Sequence, residues 1–403
     1  MMKITKIFGI VCGIIAAGLL AGCAGVSEPN PSEKKTMQTA AKSDKNVLQE
    51  RLYEAIKGND LESVKKLVAQ GADITYADDF MGQNALHHAA CFHSMDVFQW
   101  LLDQGMNIHA TDKFGNSVLH LLFDLSGAAC YGLNVDTGEF YCSHNTKSKP
   151  ETILKMVKYL TDRKVDINAA NKWKNTPVSL AVCFGYLEIV KYLADHGADV
   201  KGTLHLAAHT GQYDMVKYLV EQHGEDVNQF DGEALMYASG TAVVRYLVEH
   251  GAKINIQDEW GRSPLHEHAQ RKNLETIKYL VSSGADIHCR AKDGSSVIHW
   301  AANHGRIQNV DFFLKLGLDI NDRDNDGKTP LHYACDIHRH DLRKIMKEMI
   351  RYLVEHGSDV NLRDKEGRTP LDYAQYSEDD EIAKYLKAHG AVSGKSLNGK
   401  KKQ

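Results

Sequence analysis

Between residues 48 and 392, hydrophobic residues recur at helical spacing in short paired segments that polar turns separate. The first segment of a pair commonly begins with Ser or Thr followed by Pro, as in Thr329-Pro330, and the second commonly ends at a glycine such as Gly357. A hydroxyl caps the free N–H groups of a first helical turn, and proline at the first position loses no bond that it needs. Glycine suits the left-handed residue that closes a helix. The pattern therefore predicts units made of a turn and two antiparallel helices.

These units repeat along the chain. An interval of 33 residues separates His87 from His120, His266 from His299, and His299 from His332. A single unit of this size cannot bury its own apolar face, so neighbouring units must stack on each other. We count about ten units and expect the first and last to act as end caps.

The recurring segments are similar to the ankyrin repeat. The resemblance rests on Asn84-Ala85-Leu86-His87, Ser263-Pro264-Leu265-His266 and Thr329-Pro330-Leu331-His332, and on closing segments such as 350–360. It implies an all-α ankyrin-repeat solenoid over residues 48–392. It also implies a protein-binding module, because ankyrin arrays bind other proteins and carry no chemistry of their own.

The sequence departs from the regular repeat by insertions, missing turns and one replaced glycine. An insertion of 26 residues, assigned to 126–151, lies between the two helices of unit three, and its alternation around Asp136-Thr137-Gly138 predicts a β-hairpin. Units five and six lack the protruding turn, here called the finger, that precedes the first helix, so we expect the stack to bend or break there. Unit nine has 7 extra residues around 338–343, and Lys164 replaces the closing glycine of its unit, which predicts a non-standard cap.

The N-terminus is typical of an export signal over residues 1–22. Lys3 and Lys6 precede an apolar run that ends in Leu20-Ala21-Gly22-Cys23. This ending resembles the lipobox of bacterial lipoproteins, which implies that Cys23 is acylated and begins the mature chain. Ala24, in place of an aspartate, implies anchoring in the outer membrane, facing the periplasm.

Two further segments flank the repeats. Residues 23–47 are predicted to be a flexible spacer that starts at the lipidated cysteine, and residues 393–403 a basic disordered tail. Internal initiation at Met37 would give a minor cytosolic form.

The charge balance argues against nucleic-acid partners. Lys plus Arg is 48 and Asp plus Glu is 52, a formal charge of −4, so the chain lacks the basic excess that a phosphate backbone selects. Hydrophobic residues make up 43% and charged residues 25%, as in an ordinary folded protein. The membrane anchor is therefore expected to be the lipid rather than surface charge.

Most of the 21 histidines follow the repeat rather than a catalytic motif. The four-residue segment that starts a first helix, such as Thr329-Pro330-Leu331-His332, is here called the cap motif. By the resemblance, the histidines at its fourth position hydrogen-bond neighbouring turns: His87, His120, His205, His266, His299 and His332. The pair His205 and His209 has the i, i+4 spacing of a zinc helix but lacks the glutamate of H-E-x-x-H, so no metal site is predicted. No phosphate loop, dinucleotide fingerprint or nucleophile motif is present, which predicts a protein that is not an enzyme and needs no cofactor.

Cysteines suggest one disulfide. Cys130 and Cys142 flank the predicted hairpin, and in an oxidising compartment we favour a bond between them. Two free thiols, or a weak metal site with His144, are the alternatives. Cys91, Cys183 and Cys335 lie near the ends of first helices and are expected to be structural.

Large apolar residues at the fingers predict a docking ridge for a protein partner, because Trp and other aromatic residues are common interface anchors. Phe80, Met81, Phe114, Trp173 and Trp260 lie at finger tips, whereas Phe92 and Phe184 occupy equivalent helix-end positions. The alternative is that these side chains fold over neighbouring loops.

The combination of a lipid anchor and an ankyrin array resembles immunity lipoproteins that neutralise secreted antibacterial effectors, in particular type VI secretion lipases. It implies a monomer, apart from its partner, whose concave face blocks a lipase-type effector in the periplasm. A periplasmic scaffold or stress-protective factor that binds envelope proteins is the alternative. An enzyme with a site in the insertion is the least favoured.

Overall fold

The computed structural model describes residues 46–79, 81–123, 149–336, 343–376 and 380–394, together with the backbone of residues 131–134 and 139–142. Ten helix pairs follow one another in this part of the chain, so the predicted all-α repeat architecture of about ten units is confirmed. The helices form two compact bodies, which divide between Thr203 and Leu204. The division falls where the finger of unit five is missing.

The N-terminal body contains the first four helix pairs. They are α1 (46–57) and α2 (Leu61–Ala69), α3 (Ala85–Cys91) and α4 (Met95–Asp103), α5 (Val118–Leu121) and α6 (Pro150–Asp162), and α7 (Pro177–Cys183) and α8 (Leu187–Asp195). First helices pack on first helices and second helices on second helices. Strands β1 (Tyr131–Asn134) and β2 (Glu139–Cys142) pair with each other at the place of the predicted hairpin.

The C-terminal body contains the other six helix pairs. They are α9 (Leu204–His209) and α10 (Tyr213–His223), α11 (Gln229–Met236) and α12 (Thr241–Glu249), α13 (Pro264–Ala269) and α14 (Leu274–Ser282), α15 (Val297–Asn303) and α16 (Ile307–Lys315), α17 (Pro330–Cys335) and α18 (Arg343–Glu355), and α19 (Pro370–Tyr376) and α20 (Asp380–Ala388). Within α11, Phe230, Asp231 and Gly232 have positive φ values of 51°, 54° and 73°, so regular helix begins only after Gly232.

The core of each body lies between the layers of first and second helices. The apolar residue at the third position of the cap motif is at most 2% exposed in nine units: Leu86, Leu119, Val178, Leu204, Leu235, Leu265, Ile298, Leu331 and Leu371. Phe98 and Phe313, on second helices, are fully buried beside them. Truncating such a residue to alanine typically costs about 2–5 kcal/mol.

Left-handed residues close the second helices. Gly357 has a φ of 96°, and Lys164 takes the same region with a φ of 56°. Its N–H bonds the Thr161 carbonyl at 2.9 Å, as the closing glycines bond theirs. The cap at Lys164 is therefore non-standard in residue type but standard in geometry.

Most of the described fingers are closed by a side chain at the base, although unit eight has Ala291 there. The Asp112 carboxylate accepts the N–H groups of Phe114 and Asn116 at 2.8 and 2.9 Å. Neighbouring fingers are then joined by a backbone bond from the second finger residue to the preceding tip carbonyl, as from Lys113 to Met81 at 2.9 Å and from Lys172 to Phe114 at 2.9 Å. Three more such bonds, of 2.7 to 2.9 Å, join fingers of the C-terminal body: Lys292 to Trp260, Asn325 to Asp293, and Lys365 to Asp326.

Asparagine side chains join the loops on the other side of the stack. The Asn361 amide donates to the Gly390 carbonyl at 3.0 Å and accepts the Val392 N–H at 2.8 Å. The same two-bond bridge, with distances of 2.8 to 3.4 Å, is made by Asn168, Asn228, Asn255 and Asn321. At these junctions, polar bonds join neighbouring units in addition to the core.

Candidate protein-binding surface

Five of the six cap-motif histidines bridge neighbouring units, as predicted. In His120, Nδ1 accepts the N–H of Ser117 at 3.1 Å, so Nε2 carries the proton and donates to the Asn175 carbonyl at 3.0 Å. The same pair of bonds is made by His87, His266, His299 and His332. Burial lowers the pKa of all five, to about 4 for His266 and His332. These rings are neutral structural groups.

The sixth histidine lies where the finger is missing. The His205 ring meets the exposed ring of Phe230 edge-on, with centroids 5.3 Å apart. Its neighbour His209 has a pKa lowered to about 3, first by burial and then by the positive charge of Arg271. That cation disfavours a metal ion at the same place. In the part of the chain that the structure describes, no group of three or more His, Cys, Asp or Glu side chains is arranged to hold a metal.

Three of the predicted docking residues in the N-terminal body lie at its surface in ring contacts. Phe114 and Trp173, at successive finger tips, stack with centroids 5.0 Å apart and an interplanar angle of 17°. Both are half-buried, as is Phe92, which meets Tyr53 edge-on at 5.4 Å. The structure therefore pairs the tip aromatics with each other but leaves them partly accessible.

The remaining predicted docking residues differ from one another. Phe184 is half-buried beside Tyr186 at 6.2 Å, and Trp260, in the C-terminal body, lies under the Arg262 guanidinium at 4.6 Å. Met81 is only 9% exposed, which corrects the expectation that it lies on the outer ridge. Met81 joins its finger to the next one through its main-chain carbonyl, which accepts the Lys113 N–H. Phe80 lies outside the described residues.

A column of aromatic side chains in the C-terminal body was missed by the sequence analysis. Each lies one residue after the fourth position of the cap motif, and they are Tyr237, Trp300, Tyr333 and Tyr373. The Tyr333 hydroxyl donates to Asp324 at 2.9 Å and the Tyr373 hydroxyl to Asp364 at 2.8 Å. The first three are half-buried and Tyr373 is 7% exposed. An aromatic residue at the same offset in four of the six units of the C-terminal body was the available signal.

Cations accompany this column. The Arg262 guanidinium lies 5.7 Å from the Trp300 ring as well as over Trp260, while Lys328 and Arg368 lie 5.5 and 4.7 Å from the Tyr373 ring. Aromatic rings with nearby cations give a surface that binds flat polar groups and apolar side chains alike.

Arg262 also holds a buried acid. Its guanidinium contacts Asp258 at 2.5 Å and Glu267 at 2.7 Å, and Glu267 is only 4% exposed. Burial raises the pKa of the Glu267 carboxyl, although the positive charges of Arg262 and Arg271 oppose this effect. These two ion pairs hold the Arg262 guanidinium over the Trp260 ring.

Several predicted features lie outside the described residues. These are the export signal, Cys23, Met37, the spacer up to residue 45, the tail from residue 395 onward and the side chains of the insertion, including Cys130, Cys142 and His144. Among the described helices, none is long and apolar enough to cross a membrane.

Comparison with known proteins identifies the repeats. The sequence model of the family described as ankyrin repeats matches residues 52–127, 148–203, 201–258, 265–347 and 327–396. The putative ankyrin repeat protein YahD of Escherichia coli is 29% identical over 235 residues, which are 58% of this chain and 95% of that protein. A putative ankyrin repeat protein of Rickettsia bellii is 26% identical over 39% of this chain and 73% of its own length.

Longer relatives match this chain over a small part of their own length. Alpha-latrocrustotoxin-Lt1a of Latrodectus tredecimguttatus is 31% identical over 55% of this chain, but the match covers 15% of the toxin. The chain spans 23% of the Neurospora crassa ankyrin repeat protein nuc-2. The family matches cover most of the sequence and agree with the ten helix pairs. Ankyrin arrays are generally protein-interaction modules without catalytic activity. The chain therefore belongs to the ankyrin-repeat family, and its stacked repeats form a protein-binding module.

Proposed function

We propose that this ankyrin array is held at the periplasmic face of the bacterial outer membrane by acyl chains on Cys23 and acts there as an immunity protein. Its partner is a secreted antibacterial effector, a phospholipase or other lipase delivered by type VI secretion. One observation carries the proposal: a lipobox-like sequence, Leu20-Ala21-Gly22-Cys23, precedes an array of protein-binding repeats. An inhibitor tethered by lipid is concentrated at the membrane surface where a lipase must act.

The repeat surface offers anchors for such a partner. Trp173 and Trp260 are half-buried, so each has a ring face that is already held in place and still partly accessible. Preformed aromatic anchors lose little conformational entropy when a partner covers them. A stable inhibitory interface of this kind buries about 1,200–2,000 Å² in total.

The decisive experiment is a co-culture. A strain that lacks this protein is grown with a strain that delivers a lipase-type effector by type VI secretion. We expect the deletion strain to be killed and wild-type protein to restore survival. Cys23→Ser, which removes the acylation site, is expected to restore less. Unchanged survival of the deletion strain refutes the immunity function.

A second comparison separates binding from folding. The double variant Trp173→Ala and Trp260→Ala is expected to bind the effector more weakly while keeping the wild-type melting temperature. A large fall in melting temperature would show that the two rings are core residues.

Survival that does not depend on the protein, together with co-purification of the cell's own envelope proteins, would favour the periplasmic scaffold instead.

Location is tested by fractionation. We expect the protein in the outer-membrane fraction and expect Cys23→Ser to leave it. Met37→Leu is expected to remove a smaller cytosolic band, and a single band in both wild type and variant would exclude that form.

A further inference from the structure

A pocket lies at the N-terminal end of the N-terminal body, where α1 is the first element among the described residues. Its volume is about 730 Å³, and it lies between α1 and the finger of unit two. Leu52, Ile56 and Ala85 line it and are at most 4% exposed, so it has an apolar floor. Tyr53 and Tyr76 line it as well, with 36% and 47% of their surfaces exposed.

The backbone beside this pocket lacks a neighbour that later fingers have. In later fingers the second residue donates its N–H to the preceding tip carbonyl, as Lys113 does to Met81. The equivalent donor of the first finger is the N–H of Asp79, which has no hydrogen-bond acceptor among the described residues. Similarly, the Gln83 side chain donates to Asp112 at 3.2 Å, whereas no side chain of an earlier finger among the described residues donates to Asp78 in this way. This end of the described repeats therefore offers an edge to one extended segment.

The charge of the pocket is negative. Glu50, Glu54 and Asp78 line it, and Lys57 lies 3.8 Å from Glu54. The Lys113 ammonium donates to the Asp79 carbonyl beside the pocket. His88 Nε2 lies 3.9 Å from Asp78, and burial lowers the pKa of its ring. Three carboxylates thus face two nearby ammonium groups, those of Lys57 and Lys113. Exposed tyrosine faces add further attraction for a cation.

We propose that this pocket binds an arginine or lysine side chain carried by an extended segment of the protein partner. The cationic head group lies among Glu50, Glu54 and Asp78, its aliphatic stem lies along Tyr53 and Tyr76, and a partner carbonyl accepts the N–H of Asp79. The segment takes the place that a finger occupies at the later junctions. This inference rests on the proposed role as a binding module and names the chemistry of the partner segment.

The pocket is tested with a phage-displayed library of random dodecapeptides, panned on the full mature chain. We expect enriched peptides to share one Arg or Lys, and a synthetic peptide of the enriched sequence to bind about tenfold more weakly when that residue is replaced by Gln. Enrichment of peptides without a shared cation, or no enrichment, overturns the proposal.

Variants locate the binding. Glu50→Lys and Tyr76→Ala change exposed residues of the pocket and are each expected to weaken peptide binding about tenfold. Glu249→Lys and Tyr376→Ala are matched controls at exposed positions of the C-terminal body and are expected to bind as wild type does. Equal binding by pocket variants and controls overturns the proposal. The peptide assay uses no effector, so its outcome is independent of the co-culture that tests immunity.

Discussion

Mild acid is expected to weaken the stack because buried histidines are held neutral in it. In His332, Nδ1 accepts the Thr329 N–H at 3.0 Å, and Nε2 donates to the Arg368 carbonyl at 3.3 Å. A proton on Nδ1 would remove the first bond and place a charge on a residue that is 0% exposed. Burial therefore lowers the pKa of His332 from 6.5 to about 4, and nearby Asp364 opposes this only in part.

The size and sign of the effect follow from the two pKa values. Between about pH 6.5 and pH 4 the unfolded chain binds more protons than the folded chain, so the free energy of unfolding rises with pH in that window. One pKa unit corresponds to about 1.4 kcal/mol, which gives His332 a loss of about 2 kcal/mol at pH 5 and about 3 kcal/mol below pH 4. His266 has the same lowered pKa of about 4, so the two together lose about 4 kcal/mol between about pH 7.5 and pH 5.

Urea unfolding followed by circular dichroism measures this loss. The variant His332→Gln is expected to be less stable than wild type at neutral pH, because the ring's bridge is gone, yet to lose about 2 kcal/mol less on acidification. His356→Gln, at an exposed position, is the control and should keep the full wild-type loss. The reasoning is refuted if wild type is equally stable at both pH values, or if His332→Gln keeps the whole acid loss.

Three further predictions concern stability. Lys164→Gly should raise the melting temperature, with a gain of about 1 kcal/mol, because the lysine has a φ of 56°; an unchanged or lower value contradicts this. Asn321→Ala, which removes a 2.8 Å bond from the Asp359 N–H, should cost about 1 kcal/mol and speed hydrogen exchange at that amide, whereas unchanged exchange would show that the bridge is not needed. Arg262→Ala leaves the Glu267 carboxylate buried without its 2.7 Å partner and should cost about 3–5 kcal/mol in urea unfolding. Adding Glu267→Gln should restore part of this loss, which a role of Arg262 in packing alone would not allow.

The helix pairs were predictable because their signals are local. Capping residues, helical spacing and closing glycines act within one unit, so Thr329, Pro330 and Gly357 could be read directly from the sequence. The same holds for the histidine bridges, since the unit that holds the ring also supplies the N–H to its Nδ1. Local rules did not fix the conformation at Lys164, where the stack imposes left-handed geometry on a residue that disfavours it.

The accessible surface was harder to predict because it depends on contacts between units. Met81 appeared to be a finger-tip side chain but is covered, whereas Trp300 and Tyr333 present partly accessible rings. Apart from α1, the first helices have four to eight residues and contribute few exposed positions each, so their pattern has no clear polar and apolar sides. Whether Tyr333 meets Asp324 depends on how a helix packs against its own finger, and no spacing rule gives that distance.

The histidine bridges let side chains at the acceptor positions change during evolution without loss of the bonds that join the repeats. Each ring binds a main-chain carbonyl, and the residues that supply these carbonyls differ in type: Ala110, Asn175, Ser295, Lys328 and Arg368. A mutation of any of these side chains therefore leaves the acceptor atom in place. The half-buried side chains of Lys328 and Arg368 can therefore change to suit a new partner while the histidine bridges stay the same.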